Sequence, residues 1–163
     1  MTEQLKRIED SAVTLSVMMG PQDTNGLGNV HGGVIMKLVD EAAGLATMRH
    51  AGHPTVTVAI DSMTFLEPMR VGMFVQFQAE LTYVGRTSME ARVEVIAEHP
   101  IERSTIVTNT AYLVFVALDE AGRPTPVPPI TYETDQQRLR AEQAQKRQEH
   151  RKQQRALEKA QST

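Results

Sequence analysis

The sequence predicts an α+β domain in which one long helix is covered by an antiparallel sheet of about five strands. Two features point to this fold: a bounded amphipathic helix early in the chain, and five segments whose apolar residues alternate with polar ones or run in Val, Ile and Thr. The helix follows a Gly- and Asn-rich loop, and the whole stretch from Asp23 to Gly52 reads DTNGLGNVHGGVIMKLVDEAAGLATMRHAG. Val34, Ile35, Leu38, Val39, Ala42, Leu45 and Ala46 recur at the i, i+3, i+4, i+7 spacing of a helix that buries one stripe. Asn29 is the expected cap, Gly32-Gly33 marks the start, and Arg49, His50, Gly52 and Pro54 mark the end. On a helical wheel the stripe centres between Leu38 and Ala42 and places Asp40 nearly opposite. Met36, Ala43 and Thr47 surround Asp40 and are too apolar for an open face, so a second copy of the chain is expected to cover it. Helical geometry alone leaves a solvated surface acid as the alternative.

The strands follow from period-two alternation. Ser11–Met19 places Val13, Leu15 and Val17 on one face and ends at Gly20-Pro21. After the helix come Thr55–Phe65, then Met73–Val84 with Val75, Phe77, Ala79 and Leu81 alternating, then Thr87–Glu98 across a Gly85-Arg86 turn. Ser104–Leu118, apolar on both faces from Ala111 onward, is expected to lie centrally in the sheet. The four prolines of AGRPTPVPPI, residues 121 to 130, give an extended arm. Residues 1 to 132 form the expected domain. Residues 133 to 163 are a charged extension, either a solvated helix or a disordered tail, with too few apolar residues for a packed interface and no catalytic part.

Composition narrows the chemistry. Among 163 residues there is no Cys and no Trp, which excludes a disulfide framework, a cysteine zinc site and a catalytic thiol. The net charge of -3 divides into an acidic body and a tail of +3, a balance that argues against nucleic acid as the main partner. No apolar run has the length of a membrane helix and the first ten residues lack a signal-peptide core, so no membrane partner and a cytoplasmic location are expected. The five histidines show no metal-ligand spacing. Glycines at 26, 28, 32 and 33 fit neither dinucleotide nor triphosphate loops, and no G-x-S-x-G occurs. What remains is a Gly-rich entry to a helix N-terminus, whose free N–H groups suit an oxyanion, followed within two turns by a carboxylate able to take a proton from water. Tight packing of Gly32-Gly33 against a strand is the structural alternative.

The run Asn25-x-x-Gly28-Asn29-Val30-His31-Gly32-Gly33-x-Ile35-Met36-Lys37-x-x-Asp40-Glu41-Ala42, with Ser62-Met63-Thr64-Phe65-Leu66-x-Pro68 and Gly85-Arg86-Thr87-Ser88-Met89, resembles the hot-dog-fold acyl-CoA thioesterases of the cytosolic acyl-CoA hydrolase type. The match spans about residues 11 to 120. The resemblance implies a long helix wrapped by the sheet, a homodimer as minimal unit and a trimer of dimers. It also implies hydrolysis of acyl-CoA to fatty acid and coenzyme A with no separate cofactor. By the same resemblance Asp40 is the catalytic carboxylate, Asn25 its polar partner, and Gly32 and Gly33 the helix start facing the thioester carbonyl. Arg86, Thr87 and Ser88 would contact coenzyme A, and Thr64 and His31 would line the substrate site. A noncatalytic acyl-CoA-binding module and a hot-dog hydratase or dehydratase, the latter using His31, are the alternatives. With Asn25 fifteen residues ahead of Asp40, each subunit is expected to contribute to two shared sites.

Overall fold

The computed structural model describes residues 5–61 and 63–161. The alternating segments form strands in an antiparallel sheet: β2 (Val13–Met18), β3 (Thr55–Ile60), β4 (Phe74–Val84), β5 (Ser88–His99) and β6 (Ser104–Ala117), in spatial order β2-β4-β5-β6-β3. The helix α1 (Gly32–Ala51) lies across one face of this sheet. Two-residue strands β1 (Lys6–Arg7) and β7 (Ile130–Thr131) pair in parallel beside it, a small element that the alternation did not announce. β6 lies inside the sheet, between β5 and β3, as its two apolar faces require.

The buried face follows period two. Val75, Phe77, Ala79 and Leu81 of β4, Met89, Ala91, Val93 and Val95 of β5, and Ala111, Leu113, Phe115 and Ala117 of β6 form one core with Ile35, Val39, Ala42, Ala43 and Ala46 of α1. Each of the larger side chains contributes roughly 1.5–3 kcal/mol by leaving water. The helix side of this core is built from small residues, which let the sheet curl closely around it. At Gly44 a Cβ would already stand 3.6 Å from the Phe115 ring. Gly52 ends the helix in the left-handed conformation at φ 70°, its N–H bonded to the Met48 carbonyl at 2.9 Å.

Three expectations about α1 need correction. The buried arc runs through Ile35, Val39, Ala43, Ala46, Thr47 and His50, while Leu45 is 43% exposed and Leu38 only partly covered. Asp40 therefore stands roughly 80° from the middle of that arc, on its flank rather than opposite it. Ala43 and Thr47 are covered by the chain's own sheet, not by a second copy. The wheel misplaced the stripe because Leu38 and Leu45 outweigh alanines by hydrophobicity, whereas close packing selected the alanines. The cap is His31 and not Asn29: its Nδ1 accepts from the Gly33 N–H at 3.0 Å.

The C-terminal segment is an ordered helix, α2 (Asp135–Gln161), and the disordered alternative is set aside. It packs on the sheet face turned away from α1, with Ala141 and Ala144 buried. It is held by arginines in place of an apolar stripe. Arg140 pairs with Glu80, and Arg147 binds both oxygens of Glu90, at 2.7 and 3.2 Å, while lying 3.9 Å above the Tyr112 ring. Arg151 pairs with Asp61 and reaches Glu90 at 3.5 Å. Glu90 is 1% exposed and also accepts from the Thr82 hydroxyl at 2.8 Å. A buried carboxylate is tolerated only when it is paired in this way.

At the other end of α1, the proline arm crosses His50. Its Nε2 lies 2.8 Å from the Pro128 carbonyl, so that nitrogen carries the proton, and its buried Nδ1 has no partner among the described residues. Lys6 Nζ caps the same turn by donating to the His50 carbonyl at 2.6 Å. Burial pushes the imidazole pKa below its ordinary 6.5, against the raising effect of the Pro128 bond and helped by the charge on Lys6.

Arg147→Ala should lower the unfolding free energy by roughly 3 kcal/mol in urea titrations, because it strips a buried carboxylate of its main partner. A loss below about 1 kcal/mol would show that water replaces the arginine at no penalty. For His50 the folded pKa lies below the unfolded one, so the unfolded chain binds more protons as the medium acidifies. Its stabilising contribution is complete above pH 6.5 and drains away as the pH falls through the lower folded value. Melting temperatures measured from about pH 7.5 down to about pH 5 should therefore decline more steeply for the parent than for His50→Gln, which keeps a donor but does not titrate. Parallel declines would clear His50 of the effect.

Candidate active site

The loop before α1 is organised around Asn25. Its Oδ1 accepts from the N–H groups of Leu27 at 2.9 Å and Asn29 at 3.3 Å, and its own N–H donates to the Asn29 carbonyl at 2.8 Å. Gly28 closes the turn at φ +76°, a conformation open to glycine and costly for most side chains. This arrangement occupies the amide oxygen and leaves the Nδ2 group to donate elsewhere. Asn25 lines a cavity of about 320 Å³ with Val30, Gly32, Ile35 and the segment Phe65–Met69.

Within that cavity the two glycines have different parts. The Gly33 N–H is taken by the His31 ring, against which a Cβ at Gly33 would sit 3.2 Å from Nδ1. The Gly32 N–H has no acceptor among the described residues and points from the first turn of a helix, where backbone amides and the macrodipole favour negative charge. A Cβ there would lie 3.4 Å from the Phe65 ring. Gly32 is thus the one donor of the pair left for a ligand.

Asp40 opens on a different space. It lies beside a cavity of about 470 Å³ lined by Leu15, Gly44, Leu45, Met48, Thr55, Thr57 and Phe115, between the edge strands β2 and β3 where the curled sheet stops short of closing over the helix. The Thr57 hydroxyl donates to Asp40 Oδ1 at 2.6 Å. The pairing of β3 with β6 shifts by one residue between Thr57 and Ala59, a bulge that bends the strand next to this hydroxyl. The hydrogen bond fixes the carboxylate rotamer and occupies one oxygen, leaving Oδ2 for a proton or a water. Beyond the polar mouth the cavity is apolar.

The remaining expected site residues are spread out. His31 is exposed and one of its nitrogens is committed to the helix cap, which leaves it poorly placed as the base of a hydratase. The Thr64 side chain is exposed and lines neither cavity, while its carbonyl accepts from Asn109 Nδ2. Arg86 is exposed at the β4–β5 turn and lines a separate hollow with Tyr83, Tyr132 and the proline arm. Thr87 accepts through its carbonyl from the Ala117 N–H at 3.0 Å, and Ser88 sits opposite Val116. Within one chain, Asn25 and Asp40 line different cavities, and Arg86, Thr87 and Ser88 line neither of those two. Ser62 lies outside the described residues. Thr57 was missed in the sequence. Its only trace there was Thr at 55 and 57 on a strand otherwise apolar, a signal that strand propensity explains equally well.

A family model described as the thioesterase superfamily matches residues 27–103. The uncharacterized acyl-CoA thioester hydrolase YkhA of Bacillus subtilis is 35% identical over 136 residues, covering 83% of this chain and 79% of that protein. The chain belongs to the hot-dog-fold acyl-CoA thioester hydrolases. Among solved structures, the acyl-CoA hydrolase of Staphylococcus aureus in complex with butyryl coenzyme A, coenzyme A and coenzyme A disulfide superposes with a TM-score of 0.88 at 34% identity, over 96% of each chain. An apo-hexameric acyl-CoA thioesterase superposes with a TM-score of 0.90 at 36% identity, over 94% of this chain and 99% of its own. Further structures of the Staphylococcus aureus hydrolase carry alanine in place of an asparagine, an aspartate or a threonine. Those three are separated by fifteen and seventeen positions, the separations of Asn25, Asp40 and Thr57 in this hydrolase.

Replacing His31 should separate capping from chemistry. His31→Asn, a good N-cap, should hydrolyse acyl-CoA within a few-fold of the parent, whereas His31→Ala should lose about 1 kcal/mol of stability. A hundredfold loss of activity in a well-folded His31→Asn protein would restore the histidine to the reaction.

Proposed function

We propose that the chain, through residues 1–132, hydrolyses acyl-CoA to a free carboxylic acid and coenzyme A, with Asp40 as general base for the attacking water. The Thr57–Asp40 hydrogen bond at the mouth of an apolar cavity is the observation that carries this reading. Thr57 holds the carboxylate by one oxygen, and the other draws the proton from water as it adds to the thioester carbon. The oxygen that becomes negative is stabilised by the Gly32 N–H at the helix start, with the Asn25 amide donating to substrate or water. A thiol leaving group has a pKa near ~8.5 and departs without strong acid help, so one base and one oxyanion site suffice. Arg86, Thr87 and Ser88 hold the coenzyme end of the substrate in this scheme, which needs no cofactor.

The site is shared between subunits in this reading. Asn25 and Asp40 belong to separate cavities in a single chain, and β3 is an edge strand whose Val56, Val58 and Ile60 are each at least 42% exposed. A long apolar edge invites pairing with another strand, and a second copy across a two-fold axis provides one. The hexameric state of a related thioesterase supports a trimer of such dimers. Acyl-CoA is then the small-molecule partner. Among the described residues no helix is long and apolar enough to cross a membrane.

Asp40→Ala should lower thiol release by about 10² or more without disturbing the fold. Refolding an equal mixture of Asn25→Ala and Asp40→Ala chains should return roughly a quarter of parental activity, because about half the dimers are hybrids with one intact site. Mixtures containing hybrids but no more active than either parent variant would place both residues in one chain's site.

A further inference from the structure

Arg151, on a helix that carries no site motif, reaches the segment that runs between the chain's two half-sites. It reaches from α2 to Asp61, the first residue after β3. Four residues before Asp61, Thr57 holds Asp40. Four residues after it, Phe65 begins the wall that lies over the Gly32 end of the helix. From Asp61 to Phe65 the chain has no regular secondary structure among the described residues. Ties of this stretch and the wall after it to main-chain groups include the Asp61 N–H on the Tyr112 carbonyl, Asn109 Nδ2 on the Thr64 carbonyl, the Leu66 N–H on the Thr108 carbonyl at 3.2 Å, and the Val30 N–H on the Met69 carbonyl at 2.7 Å.

We propose that Arg151 is a positioning residue for thioester hydrolysis, holding Asp61 so that Thr57 and the Phe65–Met69 wall keep their places relative to the helix. This rests on the hydrolytic reading given above. The guanidinium is anchored from behind. Arg151 contacts Glu90, Glu90 is gripped by Arg147 and Thr82, Arg147 stacks on Tyr112, and the Tyr112 carbonyl accepts the Asp61 N–H at 2.9 Å. The contacts form a closed circuit that begins and ends at Asp61. An exposed ion pair would hold nothing firmly, but Arg151 and Asp61 are only 18% and 19% exposed at their side chains and Glu90 is 1% exposed. The C-terminal helix, expected from the sequence to have no catalytic part, thereby has a catalytic consequence without touching substrate. Displacements of the order of an ångström at reacting groups cost up to about a hundredfold in rate, so a partial release of β3 is measurable.

The test compares acyl-CoA hydrolysis and melting temperature in the full-length parent, Arg151→Met, Arg151→Lys, Asp61→Asn and the Asp61→Asn/Arg151→Met double variant, with Asp40→Ala as control. In Arg151→Met and Asp61→Asn, kcat should fall about tenfold while KM moves less than about threefold and the melting temperature stays above that of the assay. Arg151→Lys should recover part of the loss, and the double variant should be no slower than the worse single one, since both break the same contact. A folded Arg151→Met or Asp61→Asn enzyme with kcat within about twofold of the parent overturns the proposal, as does a double variant whose losses multiply. Should Arg151→Met fail to fold, Asp61→Asn decides, because it keeps the shape and removes only the charge. An active parent with an inactive Asp40→Ala control leaves the hydrolytic reading standing whatever Arg151 does, whereas a parent inactive on acyl-CoA overturns both.

Discussion

The close seat of α1 in the curled sheet is the constraint on which the other features depend. Alanines and a glycine on the inward arc bring the helix backbone near β5 and β6, and Phe115 fills the space beside Gly44. At that separation β3 passes close enough for its threonines to reach the helix flank: Thr55 meets Thr47 at 2.9 Å and Thr57 meets Asp40 at 2.6 Å. Bulkier residues on the arc would push the strand outward and leave the carboxylate to water. The setting of Asp40 is therefore a consequence of packing, and the same small residues leave the space that opens beside it.

The two faces of the sheet are stabilised by different forces. Toward α1 the contacts are apolar and tightly interlocked, which defines one arrangement of the core. Toward α2 the same strands present Glu80, Thr82, Glu90, Arg92 and Tyr112, and the helix answers with arginines and small alanines. Arginine suits this role because its planar fork binds a carboxylate through two bonds while its flat face rests on an aromatic ring. The proline arm links the layers, crossing the buried His50 before the chain enters α2.

Much of this was legible in the sequence, and the errors have a common origin. The five strands, the β4–β5 hairpin, the extent of α1 and its glycine stop all follow from periodicity and local backbone chemistry, which are properties of neighbouring residues. Asp40 and the Gly32-Gly33 helix start stood out for the same reason, as a carboxylate following a donor-rich turn, whereas Asn25 was singled out only by the resemblance to the thioesterases. The misplaced buried arc came from weighting residues by hydrophobicity where contact distance was the selecting factor. The extension was misjudged because an amphipathic stripe was sought in leucines. Its actual inward face is Arg140, Ala141, Ala144, Arg147 and Arg151, at spacings of a helical face, opposite acids that alternate outward on β4 and β5.

The sequence by itself determined the elements, their order and the presence of a carboxylate beside a glycine-rich helix start, because periods of 2 and 3.6 and the conformational limits of Gly and Pro act over a few residues. Only the tertiary structure decided that Thr57 holds Asp40, that Gly33 serves the cap while Gly32 stays open, that Asn25 faces a different cavity, and that Arg151 meets Asp61. Those pairings join residues from different elements, up to ninety positions apart in the chain. Whether two such groups meet depends on strand register, a bulge and the depth at which a helix sits, and none of these is written in the residues on either side of them.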